Sequence, residues 1–428
     1  MSHTRIGVGL LGFGTVGSSV YEFLRQHADM ISAKYDCSFE VRKVLVRNPK
    51  KKRRVALPAR LATGDVKNVL NDETIDVVVE AVGGVDPTRK YLLEAIRARK
   101  HVVTANKELM ANCGNRLVQK ARQHGVFLGF RGAITGCHQF CEAIENSVMI
   151  ESIEGVFNST SNYILTEMAD GLPFDEALAG AQARGYAEAD PSNDVDGKDT
   201  VHKLVILATL AFGRFLDGRR IPTQGISHVT KEDVAFAKRL GYAVRLLGHA
   251  GEHGAGRIEA WVRPCLVPLD RGMGLVNGIN NGIIVHDSLR GESGMIAHGA
   301  GGEATAMAIF TDLLAMARGA NIVWPATANT NTVSSYVTSD SVPRCYFLRC
   351  LARNRPGVLA TITKALGRHG INITHVDQRA GAAQQSPVPV LILCGPTSER
   401  ELRRALKEAQ AKPDILSDIH CFMVAEDS

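Results

Sequence analysis

The chain has 428 residues, length enough for roughly two to four domains, each with its own core. Hydrophobic residues make up 45%, charged residues 22%, and the net charge is +6, a balance that excludes a disordered chain and gives no broad basic face for nucleic acid. Nine cysteines without a C-x-x-C pair, no basic-then-apolar leader and no apolar run of about 18 residues exclude a paired-cysteine zinc site, a secretory signal and a membrane span, which fits a reducing cytoplasm.

Residues 5–11 read as a buried strand. Val16, Val20, Phe23 and Leu24 follow at helical spacing, and residues 39–46 read as a second strand. Residues 75–80 are a third strand, 91–98 a helix and 101–104 a fourth strand. Strand alternating with helix predicts a Rossmann-like, doubly wound parallel sheet over residues 1–133. Between its first strand and helix stands Gly12-Phe13-Gly14-Thr15-Val16-Gly17. Gly12 allows the turn, Gly14 lets a pyrophosphate approach the backbone, and Gly17 lets the helix pack closely. The second strand ends in Arg47 rather than an acidic residue, with the basic run 50–54 just beyond. A cation there suits a 2′-phosphate, so NADP is favoured, with NAD possible. Thr104-Ala105-Asn106-Lys107 lies past the carboxyl end of a strand, where ligands of such sheets bind, and Lys107 is a candidate contact to cofactor or substrate.

The middle of the chain, residues 134–318, reads as an α+β substrate domain with strands over 150–157, 258–267 and 282–285 and helices over 174–183, 200–212 and 305–318. Cys137 invites a nucleophile reading, but no other feature supports it and a loop cysteine is the plainer one. Asp194, Asp196 and Gly197 imitate the middle of a calcium loop, yet the position that should hold a bidentate glutamate is Lys203, so that match fails. If the segment from Thr200 is helical, Asp199 and Lys203 share one face, a carboxylate beside a general acid/base. The acidic stretch runs straight into the apolar Leu204-Val205-Ile206-Leu207, which places this pair at a cleft or core edge. Residues 319–343 read as a linker. Residues 344–428 have the order βαββαβ, a ferredoxin-like pattern.

Several long motifs, in order over nearly the whole chain, make it resemble the homoserine dehydrogenases in their long bacterial form with a C-terminal ACT domain. They are the glycine turn, Thr104–Lys107, Asn158-Ser159-Thr160-Ser161-Asn162-Tyr163-Ile164-Leu165, Gly185-Tyr186-Ala187-Glu188-Ala189-Asp190-Pro191, Asp199-x-x-His202-Lys203, Gly299-Ala300-Gly301-Gly302 and Arg355-Pro356-Gly357-Val358-Leu359. The resemblance implies a reversible oxidation of L-homoserine to L-aspartate 4-semialdehyde with NAD(P), in threonine, methionine and isoleucine synthesis. It implies that Lys203 moves the hydroxyl proton and that Lys107 is a second active-site lysine. Glu188 and Asp199 would hold the substrate's ammonium and polar groups. Thr160, Tyr186 and Asp194 would line the pocket, and Gly185, Gly299 and Gly301 would lie near the cofactor. It also implies a cytoplasmic homodimer or homotetramer whose ACT domain senses an amino acid, usually threonine, with Asn354, Gly357 and Asn372 in the region of the effector loop. Neither nucleic acid nor membrane is an implied partner.

Three departures fall near the implied site. A monovalent cation (Na or K) would be held by backbone at Ile134, Gly136 and His138, but Arg131 replaces a family glutamate there and its charge opposes a cation. Gln139 replaces a proline in the same loop. Ser159 replaces a glycine, and Ile296-Ala297-His298 replaces Tyr-Gly-Pro before the glycine-rich turn. These changes leave open a related NADP oxidoreductase with another amino-acid-derived alcohol, or a weakened enzyme kept for amino-acid sensing.

Overall fold

In a computed structural model the described residues are 3–425, except 136, 255, 300, 330–332, 334–335, 338–339, 341 and 379–385. The chain packs as two units that interleave along the sequence. One comprises Met1–Ser159, Lys198–Ile221 and Ile279–Ser334; the other comprises Thr160–Gly197, Pro222–Gly278 and Ser335–Ser428. The sequence had suggested consecutive domains instead.

The first unit is built on a parallel six-stranded sheet. Its order is Ala62–Thr63, Cys37–Leu45, Thr4–Leu11, Val77–Glu80, His101–Thr104 and Leu128–Gly129. This is the doubly wound sheet expected from the alternation of strands and helices. Its central strands, Thr4–Leu11 and Val77–Glu80, are mostly apolar and buried because both faces are covered. Val8, Leu10, Val77, Val79 and Val103 join Ile309, Phe310 and Leu313 of the Gly302–Ala317 helix in one core. Strand order reverses about Thr4–Leu11, and ligands of such sheets sit at the carboxyl ends beside that reversal. Asn280–Asp287 pairs antiparallel with both Ile150–Val156 and Gly291–His298. The Lys198–Phe212 helix is apolar almost all round, with Leu204 to Ala208 at 0% exposure, and so lies within the protein. It packs on the Lys107–Gln123 and Phe140–Glu145 helices.

The stretch expected as a linker is partly a packed segment of this unit. Trp324 is 1% exposed, donates Nε1–H to Asn115 at 2.7 Å, and meets Phe130 edge-on at 5.3 Å.

The strands of the second unit run in the order Tyr242–Glu252, Ile258–Pro268, His420–Val424, Arg344–Ala352, Val388–Thr397 and Ile373–Gln378. The last four strands, with helices Val358–Arg368 and Glu399–Gln410, form the expected βαββαβ tail. The tail does not stand apart. Its closing strand pairs in parallel with Ile258–Pro268, Met423 opposite Cys265 and Val424 opposite Leu266, which covers an edge that would otherwise be open. Among the described residues no helix is long and apolar enough to cross a membrane, and no disulfide joins the nine cysteines.

Candidate active site

The glycine turn builds the first half of the site. Gly12 has φ +97°, and a Cβ there would strike the carbonyl of Ala81. A Cβ on Gly17 would strike the carbonyl of Gly12, so the helix Thr15–Gln26 can lie this close only with glycine. A Cβ on Gly14 meets nothing within 4 Å. That open side faces a cavity of about 520 Å³ lined by Gly12, Phe13, Gly14, Arg47, Lys51 and Arg53 among others. No side chain caps the helix at Gly14, so the amides of Thr15 and Val16 sit at an uncapped positive helix end. The residues present fit a dinucleotide phosphate. Arg47 lines the cavity as the sequence suggested. Arg53, which the sequence reading did not single out, braces the loop by donating to the carbonyls of Lys51 at 2.7 Å and Asn48 at 2.6 Å. No acidic side chain lines this cavity. The Gly299–Gly302 turn belongs to the same neighbourhood: a Cβ on Gly302 would press on Ser19 and Thr15 of the first helix, and Gly301 has φ +140°.

The second half begins at the carboxyl end of strand His101–Thr104. Buried Glu80 organises the turn there. Its Oε1 accepts from the amides of Val82 at 2.7 Å and Gly83 at 3.0 Å, and its Oε2 accepts the Thr104 hydroxyl at 2.5 Å. Burial raises its carboxyl pKa above the usual range, and these three hydrogen bonds hold the rise in check. Asn106 then caps the next helix by accepting from Leu109 N at 2.9 Å and donates to Gly84 O at 2.6 Å. Lys107 follows as the first residue of that 17-residue helix. A cation there is opposed by the helix dipole, so it needs a strong counterion.

Asp199 is that counterion. Its Oδ1 pairs with Lys107 Nζ, and its Oδ2 lies 3.1 Å from Lys203 Nζ and accepts from Asn158 Nδ2 at 2.8 Å. Lys203 Nζ also donates to Phe157 O at 2.7 Å. Asp199 is 2% exposed, and burial alone would raise its pKa. The ammonium groups of Lys203 and Lys107, with the hydrogen bonds from Lys107 and Asn158, overcome this and hold the carboxyl far below the usual range. The sequence foresaw the Asp199–Lys203 face. The resemblance placed Lys107 in the same site, but not its direct pairing with Asp199, nor the Asn158 and Phe157 carbonyl contacts that fix the cluster.

Ser159 is 5% exposed and donates its hydroxyl to Asn281 Oδ1 at 3.1 Å. Gly299 lies against it, with no room for a Cβ between Ser159 and the Ile279 carbonyl. Asn281 Nδ2 reaches Cys137 Sγ at 3.5 Å. Burial pushes the Cys137 thiol up to about 12, so it stays protonated and cannot be the nucleophile that its loop position invited.

In the second unit, Thr160 donates its hydroxyl to Tyr186 O at 2.7 Å, and the Tyr163 and Tyr186 rings meet edge-on at 5.2 Å. Gly185 has φ +74°, the left-handed turn that opens this stretch. Glu188 is exposed on it, and Asp194 is half-buried in the short helix Ser192–Val195 that follows.

Arg131 is not turned toward a cation. Its Nη1 lies 3.0 Å from Asp312 Oδ1, its Nη2 lies 3.2 Å from Glu145 Oε1, and its amide donates to Asp312 Oδ2 at 2.7 Å. Asp312 is 1% exposed, and burial, outweighing Arg131, pushes it up to about 6. Below that pH the folded carboxyl can take a proton, while above it the charge depends on Arg131. Arg131→Ala is therefore expected to cost about 3–5 kcal/mol at pH 8 and clearly less at pH 5, measured by denaturant unfolding at both values. An equal loss at both would show that the charge pair is not what stabilises this corner. The carbonyls of Ile134 and His138 each accept a hydrogen bond, from Cys137 N at 2.7 Å and Cys141 N at 3.3 Å, and Gly136 lies outside the described residues. Among the described residues no group of His, Cys, Asp and Glu could hold a metal ion.

The glycine turn and the lysine–carboxylate–lysine cluster share the carboxyl edge of one doubly wound sheet. A dinucleotide cradle beside a buried acid/base group is the layout of a nicotinamide-dependent oxidoreductase. Comparison with known proteins names the family within that class. The family model "Homoserine dehydrogenase, NAD binding domain" matches residues 12–130, "Homoserine dehydrogenase" matches 138–314, and "ACT domain" matches 346–410. The homoserine dehydrogenase of Bacillus subtilis is 35% identical over 94% of both chains, and that of Pseudomonas aeruginosa is 36% identical over 95% of both. The crystal structure of a homoserine dehydrogenase from Thiobacillus denitrificans superposes with a TM-score of 0.89 at 34% identity, over 99% of each chain. The chain belongs to the homoserine dehydrogenase family, NAD(P)-dependent oxidoreductases.

Proposed function

We propose that this protein interconverts L-homoserine and L-aspartate 4-semialdehyde with NADP, in the cytoplasm, on the route to threonine, methionine and isoleucine. The observation that carries this reading is the Lys107–Asp199–Lys203 cluster at the carboxyl edge of the dinucleotide sheet. When bound in the glycine-turn cavity, a nicotinamide would supply the hydride acceptor for C4 of the alcohol. A primary alcohol is a very weak acid, so hydride departs readily only as the hydroxyl proton is removed. Lys203 Nζ, neutral in this direction, takes that proton. In reverse its ammonium form donates to the aldehyde oxygen. Asp199 orients both lysines, and the Phe157 carbonyl fixes the direction of Lys203 Nζ. Lys107 supplies a second positive charge beside the reacting oxygen. Glu188 takes the substrate ammonium, with Thr160, Tyr186 and Asp194 shaping the pocket. The backbone of Gly12 to Gly17 would hold the cofactor, with Gly185, Gly299 and Gly301 assigned near it by the family resemblance. We draw no step through a monovalent cation.

Ser159 does not call for a different substrate, since its hydroxyl is already bonded to Asn281. Incubation with L-homoserine and NADP, followed by trapping of the carbonyl product, tests the reading. Recovery of derivatised aspartate 4-semialdehyde is expected, and NADP reduction without that product would overturn it.

The preference for NADP is supported by Arg47, Lys51 and Arg53 around the cavity and by the lack of a carboxylate to hold a ribose diol. Arg47→Ala is expected to lower kcat/KM for NADP by about tenfold to a hundredfold, the range for a lost charge-assisted hydrogen bond, with little change for NAD. Equal losses with both cofactors would remove Arg47 from 2′-phosphate recognition. The ACT segment supports binding of an amino-acid effector, threonine by family resemblance, in a homodimer or homotetramer.

A further inference from the structure

Two adjacent residues hold the two halves of the acid/base pair. Phe157 offers its carbonyl to Lys203 Nζ at 2.7 Å, and Asn158 donates from Nδ2 to Asp199 Oδ2 at 2.8 Å. These two residues are the whole connection between strand Ile150–Val156 and helix Ser159–Ala169. A slip of the connection therefore moves the partners of Lys203 and Asp199 together. Misplacement by about 1 Å near a reacting group can cost on the order of a hundredfold in rate, so whatever fixes this connection bears on turnover.

Both ends of the connection are tied to one neighbouring strand, Asn280–Asp287. At the strand end, Val156 pairs with Gly282. At the helix end, Ser159 donates its hydroxyl at 3.1 Å to Oδ1 of Asn281, the residue before Gly282. Both side chains are buried, Asn281 completely, so bulk water cannot replace either partner. Asn281 is held in turn, with its Nδ2 3.5 Å from Cys137 Sγ. Ser159 also walls the glycine-rich turn. A Cβ on Gly299 would strike Ser159, and a Cβ on Gly302 would press on Thr15 and Ser19 of the helix that opens at Gly14. Close contacts thus lead from the acid/base pair through Ser159 to the dinucleotide cradle.

We propose that Ser159 is a positioning residue of the reaction: its bond to Asn281 holds the Phe157–Asn158 connection, and with it Lys203 and Asp199, in register with the dinucleotide cradle. Ser159 itself moves neither proton nor hydride. A glycine in its place would leave Asn281 Oδ1 without this donor and the connection anchored at the strand end alone. The proposal rests on the role given above to Lys203 in homoserine oxidation.

Ser159→Ala removes the hydroxyl and keeps the Cβ against Gly299, so the variant should fold. Its kcat for L-homoserine should fall about tenfold, the worth of one neutral hydrogen bond. KM for homoserine and the dissociation constant for NADP should stay within about twofold, as for a loss felt only in the transition state. A second readout needs neither substrate nor cofactor: limited acetylation of the full chain, followed lysine by lysine by mass spectrometry. Lys203 should react several-fold faster in Ser159→Ala than in the native chain. Lys100 is the control, being as buried as Lys203 and likewise held by carbonyls, those of Asp72 and Ile75, each at 2.7 Å. General loosening would expose both lysines. In an Asn281→Ala background, Ser159→Ala should change neither readout further. Unchanged kcat, unchanged Lys203 reactivity, or an acceleration shared equally by Lys100 would overturn the positioning role. Selective acceleration at Lys203 in a native chain that fails to oxidise homoserine would keep Ser159 as the residue that positions Lys203 and overturn the homoserine reading instead.

Discussion

Lys203→Ala is expected to lower the turnover number for L-homoserine oxidation by about 10²- to 10⁴-fold, the usual contribution of a positioned general base. The dissociation constant for NADP should hardly move, because Lys203 lines neither the glycine turn nor the Arg47 cavity. The geometry favours a role in proton transfer over one in binding. Lys203 sits on a rigid buried helix, and its Nζ is fixed by Phe157 O at 2.7 Å and Asp199 Oδ2 at 3.1 Å. Its loss should leave Asp199 ionised through Lys107, so the site should keep its fold. Steady-state kinetics with separate equilibrium titration of NADP distinguishes the two roles. Collapse of cofactor affinity in step with turnover would make Lys203 a binding residue.

Asp199→Asn should act on stability and on pH dependence together. The substitution keeps the side-chain volume but leaves Lys203, with 9% of its side chain exposed, beside an uncharged amide. Removing one partner of a buried ion pair costs about 3–5 kcal/mol. The Asp199 carboxyl is held below its unfolded value, so its stabilising contribution is complete at neutral pH and is lost as pH falls below about 4. The gap between native and variant protein in denaturant unfolding should therefore narrow in acid. Without the carboxylate, Lys203 loses its proton more readily, and the pH profile for homoserine oxidation should shift to lower pH. A shift to higher pH, or a stability gap constant down to strongly acid pH, would break the link between Asp199 and Lys203.

The centre of the first sheet was legible because Thr4–Leu11 and Val77–Glu80 are apolar runs followed by glycine turns, and the Lys198–Phe212 helix because its apolar run is long. Other elements were hidden by composition. The strand Tyr242–Glu252 carries Arg245 in its middle, which is only 2% exposed and donates to Val244 O at 3.0 Å and Asn277 Oδ1 at 2.5 Å. A buried arginine that donates to its own strand and to a loop asparagine looks, in sequence, like a surface residue. The strand Gly291–His298 is mostly exposed and lacks a β-branched alternation. The Lys107–Gln123 helix is polar enough to pass as a loop.

At the site, the i,i+4 spacing of Asp199 and Lys203 carried real geometric content. The Lys107–Asp199 and Asn158–Asp199 pairs are tertiary contacts that no local pattern encodes. Arg131 illustrates the same limit. Its charge at a loop expected to hold a cation was legible, but not the two carboxylates, Asp312 and Glu145, that neutralise it.

The most direct measurement is the fate of a deuterium label. L-Homoserine deuterated at C4 should reduce NADP in the presence of this protein with a primary isotope effect, and the label should be recovered at C4 of the nicotinamide. Unlabelled NADPH, or no reduction by folded protein with either NADP or NAD, would contradict hydride transfer from C4 of homoserine at this site.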